Sequence, residues 1–194
     1  MREAEDRERV VGEYGYVRYQ DPADAFRPYD VRSPAVVLRV AALVRSRLPE
    51  AAVEHIGSTA VPECPGKGVV DLMLPYAPGE FDAVRSVVEG LGFRLHLGRD
   101  PFPPERPVFV GTLMHDGDSF RLHLHVIPAG DSEVTDQRRF RDALRADPAL
   151  VMEYAERNRA VLAAGVVDGT DYNRGKEAFI RSVLTGESTS AGDE

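Results

Sequence analysis

Tryptophan is absent from the chain, cysteine occurs once (Cys64) and lysine twice (Lys67 and Lys176). One thiol forms no internal disulfide, and without a CxxC pair there is neither a cysteine zinc site nor a dithiol redox centre. Any metal must be held by histidine and carboxylate. No apolar run approaches the ~20 residues that cross a bilayer, and the charged start at Met1 lacks the apolar stretch of a signal peptide. These absences predict a cytoplasmic protein with no membrane partner. Positive charge is also short: 24 Lys and Arg stand against 32 Asp and Glu, a formal net charge of −8. That sign argues against a nucleic acid gripped through its phosphates, and leaves room only for a local basic site.

The 194 residues, 43% hydrophobic and 29% charged, suit one folded domain. Neither a repeat nor an internal linker divides them. The folded body is expected over 12–184, with 1–11 and 185–194 as frayed ends, the first nearly all charged and the second small and acidic.

Apolar spacing predicts a helix from Ser33 to Leu48, with Ser33 as its cap and Pro34 in its first turn, and another from Glu80 to Leu91. Ala52–Ile56, Gly68–Leu74, Phe93–Leu97, Val108–Met114 and Ser119–Ile127 read as strands, the last two joined by a His-Asp-Gly-Asp turn. Helices follow at Thr135–Leu144, Pro148–Ala164 and Asp171–Leu184. The order implies an α/β (α+β) fold, a mixed sheet flanked by helices and followed by a C-terminal helical segment.

Two stretches carry chemistry. In Glu54-His-Ile-Gly-Ser-Thr-Ala-Val-Pro62 a strand ends in Gly57 and Ser58, where backbone N–H groups and a hydroxyl can cradle a phosphate; an ordinary tight turn is the alternative. Asp71 then falls inside an apolar run, where a carboxylate must be paired, metal-bound or at a strand end. In Arg121-Leu-His123-Leu-His125 alternation puts both imidazoles on one face and leucines on the other. With Asp71 they would form a two-histidine, one-carboxylate site for Mg, Mn or Zn, or a purely hydrogen-bonded polar face. Arg138, Arg141 and Arg145 share a helix face that is either anion-binding or simply solvated. Cys64 is a lone candidate nucleophile without an evident partner.

Gly-Ser followed at this distance by an acid on an apolar strand resembles the signature of the polymerase-β-like nucleotidyltransferases, although Met73 stands where their second carboxylate falls. The His-x-His strand also resembles that of the histidine-triad nucleotide hydrolases, with Arg121 in place of the first histidine. The wider resemblance is to the GrpB family of the nucleotidyltransferase-like superfamily. It rests on Phe26–Arg32, Glu54–Pro62, Lys67 with Asp71, His123–Val126, Phe140–Arg145 with Pro148, and Tyr172 with Gly175-Lys176 and Phe179-Ile180. Departures from the family pattern are Ser33, Glu63-Cys64, Gly68 and Leu122.

The resemblance implies a nucleotidyltransferase-like fold and a transferase acting on a nucleotide or other phosphorylated small molecule. In that reading Asp71, His123 and His125 are catalytic and hold a divalent metal ion. His55, Gly57, Ser58, Lys67, Arg138, Arg141, Tyr172 and Lys176 bind substrate. The rival expectations are a degenerate binding module that has lost its metal chemistry and a histidine-triad-like hydrolase.

Overall fold

A computed structural model of the chain describes residues 16–17, 26–97, 102–163 and 169–186. Six strands form one sheet: β1 (Tyr16–Val17), β2 (Glu54–Ile56), β3 (Val69–Tyr76), β4 (Arg94–Leu95), β5 (Val108–His115) and β6 (Asp118–Pro128). The order is β1-β5-β6-β3-β2, with β4 also paired to β5. β3 and β6 run parallel, and the other pairs are antiparallel. The mixed sheet and its helical tail agree with the sequence expectation. Asp116 (φ 48°) and Gly117 (φ 83°) turn β5 into β6 in the left-handed conformation that two-residue hairpins favour.

Period two in β6 decides which face is core. Phe120, Leu122, Leu124 and Val126 are buried with Val70, Leu72 and Leu74 of β3. On them lie the valine stripe Val36, Val37, Val40 and Val44 of helix α1 (Ser33–Arg45) and Val84 and Val88 of α2 (Phe81–Gly90). At about 25 cal/mol per Å² of apolar surface removed from water, this interface dominates the sheet's stability.

Three helices complete the fold: α3 (Ser132–Ala146), α4 (Pro148–Ala163) and α5 (Gly169–Thr185). They build a second core from Val61, Cys64, Phe140, Leu144, Tyr154 and Phe179. A small cluster of Ile56, Met73, Ile127 and Val134 seats α3 on the opposite face of the sheet from α1 and α2.

Two helix starts differ from expectation. Ser33 is the first helical residue of α1, not its cap; Arg32 holds the cap position and makes no side-chain capping bond. The preceding turn is organised by Asp30, whose carboxylate accepts from the Arg32 backbone N–H at 2.9 Å and from its guanidinium at 2.8 and 3.0 Å. α3 begins three residues earlier than its apolar pattern, because Asp131 caps it by accepting from Glu133 N–H at 2.9 Å.

Candidate active site

The face turned away from α1 and α2 carries the polar groups. In the β3–β6 ladder Asp71 is level with His123 and Met73 with His125, and residues level across a ladder share a face. The Asp71 Oδ1 lies 3.6 Å from His123 Nδ1 and 3.7 Å from His125 Nε2. The two imidazoles and the carboxylate therefore meet.

Their electrostatics follow from this contact. Burial acts to raise the Asp71 carboxyl, but the His125 contact and the charges of His123, His125 and Lys176 outweigh it and hold the group below its ordinary range. Burial pushes His123 down to about 4, against the upward pull of Asp71. At neutral pH His123 is uncharged.

Beside them, β2 ends at Gly57 (φ 69°, ψ −171°) in a conformation open in practice only to glycine, and a short 3-10 turn, Ser58–Ala60, follows. A Cβ on Gly57 would fall 2.5 Å from Asp71 Oδ2. A Cβ on Gly66 would fall 2.7 Å from Ser58 Oγ. Two glycines thus let the turn close onto the carboxylate.

His55 points into the structure of this turn: its Nε2 lies 3.0 Å from Thr59 Oγ1, and Thr59 donates to Val69 O at 3.3 Å. Since the hydroxyl has one hydrogen, His55 must be the donor, with its proton on Nε2. Burial depresses this imidazole as well, to about 4, so it is neutral at pH 7.

The arginine face of α3 is engaged with β2 and the turn, although Arg138 and Arg145 stay partly open to solvent. Arg138 grips the Glu54 carboxylate with Nε at 3.0 Å and Nη2 at 2.5 Å. Arg141 donates to His55 O at 3.2 Å, lies 3.6 Å from Glu54 and pairs with Asp142 at 2.8 Å. Arg145 donates twice to Ala60 O, at 2.9 and 2.8 Å. The three guanidinium groups clamp α3 to β2 and to the turn. Arg138 and Arg141, expected to bind substrate, are engaged by Glu54, His55 O and Asp142 in this structure.

Lys176 approaches from α5. Its Nζ is 3.5 Å from Tyr154 OH and 5.6 Å from that ring's centroid, and its charge is felt at Asp71 and Cys64. Lys67 sits at the entry to β3, its carbonyl accepting from Arg121 at 2.7 Å. The Tyr172 side chain lies outside the described residues. Cys64 is 1% exposed, packed among aromatic rings, and burial pushes its thiol up to about 11. That removes it as a nucleophile.

The metal expectation fares differently. Asp71, His123 and His125 come together, but among the described residues no group of three His, Cys, Asp or Glu side chains is arranged to hold an ion. The carboxylate is engaged by imidazoles instead. Met73, at the place of a second carboxylate, is fully buried in the apolar cluster under α3.

Two rings escaped the sequence reading. The His96 centroid is 5.8 Å from that of His123 and 6.0 Å from Phe102, and Phe102 is 6.2 Å from His125. His96 follows β4, and its N–H donates to Val108 O at 2.8 Å. Its parity with Arg94, level with Val110 and so with His123, puts it on the polar face.

The α/β sheet thus carries α1 and α2 on one face, and on the other α3 beside a carboxylate, imidazoles and a glycine turn. The chain belongs to the GrpB family: the family's model, described as GrpB protein, matches residues 25–185. A UPF0157 protein of Pseudomonas aeruginosa is 33% identical over 84% of this chain, which spans 64% of that relative's length. A UPF0157 protein of Deinococcus radiodurans is 30% identical over 89% of this chain and 86% of its own. The crystal structure of conserved protein GrpB from Enterococcus faecalis superposes with a TM-score of 0.67 at 22% identity, covering 84% of this chain and 96% of that one. It shares the fold. Among the described residues no helix is long and apolar enough to cross a membrane.

Proposed function

We propose that the polar face binds a nucleotide or other phosphorylated small molecule, and that the chain transfers a nucleotidyl or related group from it to a small anionic acceptor. The observation that carries this reading is the convergence of Asp71, His123 and His125 beside the Gly57–Ser58 turn, with the Lys176 charge directed at the same carboxylate.

Among the described residues no donor set is arranged as a metal centre, and the roles proposed here are those of the chain's own groups. Ser58, the N–H groups of the turn and Lys176 take the phosphate charge. Neutral His123, with Nδ1 3.6 Å from Asp71, is the candidate base for the acceptor's proton. His125 completes the contact that keeps Asp71 ionised. The GrpB resemblance supports a nucleotidyltransferase-like chemistry over other uses of such a dyad.

A second reading, a binding module without transfer, is favoured by Met73. The same assay separates the two. Nucleotides and phosphorylated metabolites are screened by thermal shift, with and without Mg, Mn or Zn, and hits are tested for a transfer product. A binding ligand raises the melting temperature by mass action, and Asp71→Asn should abolish product while the melting temperature of the unliganded protein is retained. Binding with no product under any ion favours the module. The absence of any phosphorylated ligand that stabilises the protein refutes both. A loss on the order of 3–5 kcal/mol in Asp71→Asn would instead mark Asp71 as half of a structural pair.

A further inference from the structure

The Phe102 ring beside the site is presented, unlike the phenylalanines of the core. Phe93 and Phe109 are fully buried in the core, and Phe120 is 6% exposed. Phe102 is 39% exposed, yet it is fixed by two edge-to-face contacts, to His125 at an interplanar angle of 82° and to His96 at 67°. His96 in turn leans on His123. Leu95 and Leu97, 42% and 84% exposed, flank His96 in sequence. A ring 39% exposed keeps part of its surface available. This one stands beside imidazoles that contact the Asp71 carboxylate, with the glycine turn against the other side of that carboxylate.

We propose that Phe102, backed by His96, is a stacking platform for the base of the ligand, making the substrate a nucleotide in preference to a phosphorylated compound without an aromatic ring. The proposal rests on the phosphate-binding role proposed above and adds the second half of the ligand. T-shaped bracing fits this use: aromatic pairs favour edge-to-face and offset-stacked arrangements, so Phe102 can be held by two histidines and take a base on its exposed part. Stacking tolerates any base, because each has a π face. The platform therefore selects for a base and not for its identity.

The experiment compares binding of the four ribonucleoside triphosphates with binding of inorganic tripolyphosphate, by calorimetry, in the parent protein and in Phe102→Ala. At least one nucleotide should bind more tightly than tripolyphosphate in the parent. Phe102→Ala should weaken that nucleotide by roughly 5- to 100-fold, the range for one lost base–aromatic stack. Tripolyphosphate affinity should stay the same. Because the chain has no tryptophan, Phe102→Trp gives a single indole reporter at the platform itself. Its emission should change with the nucleotide and not with tripolyphosphate.

If tripolyphosphate binds and no nucleotide binds more tightly, or if Phe102→Ala keeps the preference, the platform is refuted while the phosphate site stands. If neither class of ligand binds, the platform falls together with the function proposed above.

Discussion

Replacing Gly57 with alanine tests the architecture of the site through stability alone. At φ 69° and ψ −171° the backbone occupies a region that costs a residue with a Cβ about 1–3 kcal/mol. The added carbon would also lie 2.5 Å from Asp71 Oδ2, 3.0 Å from its Cβ and 3.1 Å from its Cγ. The carboxylate must move, which breaks its contacts with His123 and His125 at a further cost of about 1–2 kcal/mol. A total of about 2–5 kcal/mol lowers the melting temperature of a chain this size by roughly 4–20 °C. Gly79 supplies the control, since its φ is 85° and nothing lies within 4 Å of an added Cβ. Gly79→Ala should show the backbone share only. In an Asp71→Ala background the crowding oxygens are gone, and Gly57→Ala should cost markedly less than in the parent. Calorimetric melts of the single and double variants measure this coupling. Equal losses for Gly57→Ala and Gly79→Ala, or no coupling to Asp71, would refute the claim that the turn is closed onto the carboxylate.

Two further outcomes follow from electrostatics. His55 and His123 are depressed from 6.5 to about 4, so between those values the unfolded chain binds more protons and stability falls as pH falls. Each contributes up to about 3 kcal/mol across that window; urea unfolding from pH 7 to 4.5 should show the decline, and His123→Asn should flatten part of it. A pH-independent midpoint over this range would contradict the burial of both rings as neutral species. On α3, Arg138→Ala removes a half-exposed pair and should cost about 0.5–1 kcal/mol, whereas Arg141→Ala strips a part-buried charged donor from His55 O and should cost about 1.5–3 kcal/mol. The two share Glu54, so urea melts of the double variant should depart from the sum.

The sheet's polar face was legible in Arg121-Leu-His-Leu-His because alternation is a local property, and the parity that buries Leu122 and Leu124 necessarily presents His123 and His125. The valine stripe of α1 was legible for the same reason at helical period. What was not legible depends on distant partners. Arg138, Arg141 and Arg145 read as one helix face, but nothing within α3 says that their acceptors are Glu54, His55 O and Ala60 O more than eighty residues upstream. His96 joins the site only through the register of a two-residue strand on β5. Phe102 carries no periodic signal at all, and Asp131 caps α3 from outside its apolar pattern.

Met73 has a consequence for the site. The position is not an empty socket left by a missing acid: its side chain is fully buried and joins Ile56 and Ile127 with Val134 of α3. Returning a carboxylate there would strand a charge in apolar surroundings, at a penalty of several kcal/mol, and would loosen the seat of the helix whose arginines hold the glycine turn. An acid placed here by one substitution would meet three unchanged apolar neighbours, Ile56, Ile127 and Val134. Met73 therefore acts as a floor beneath the polar face, and a second carboxylate at this position requires repacking of the α3 seat.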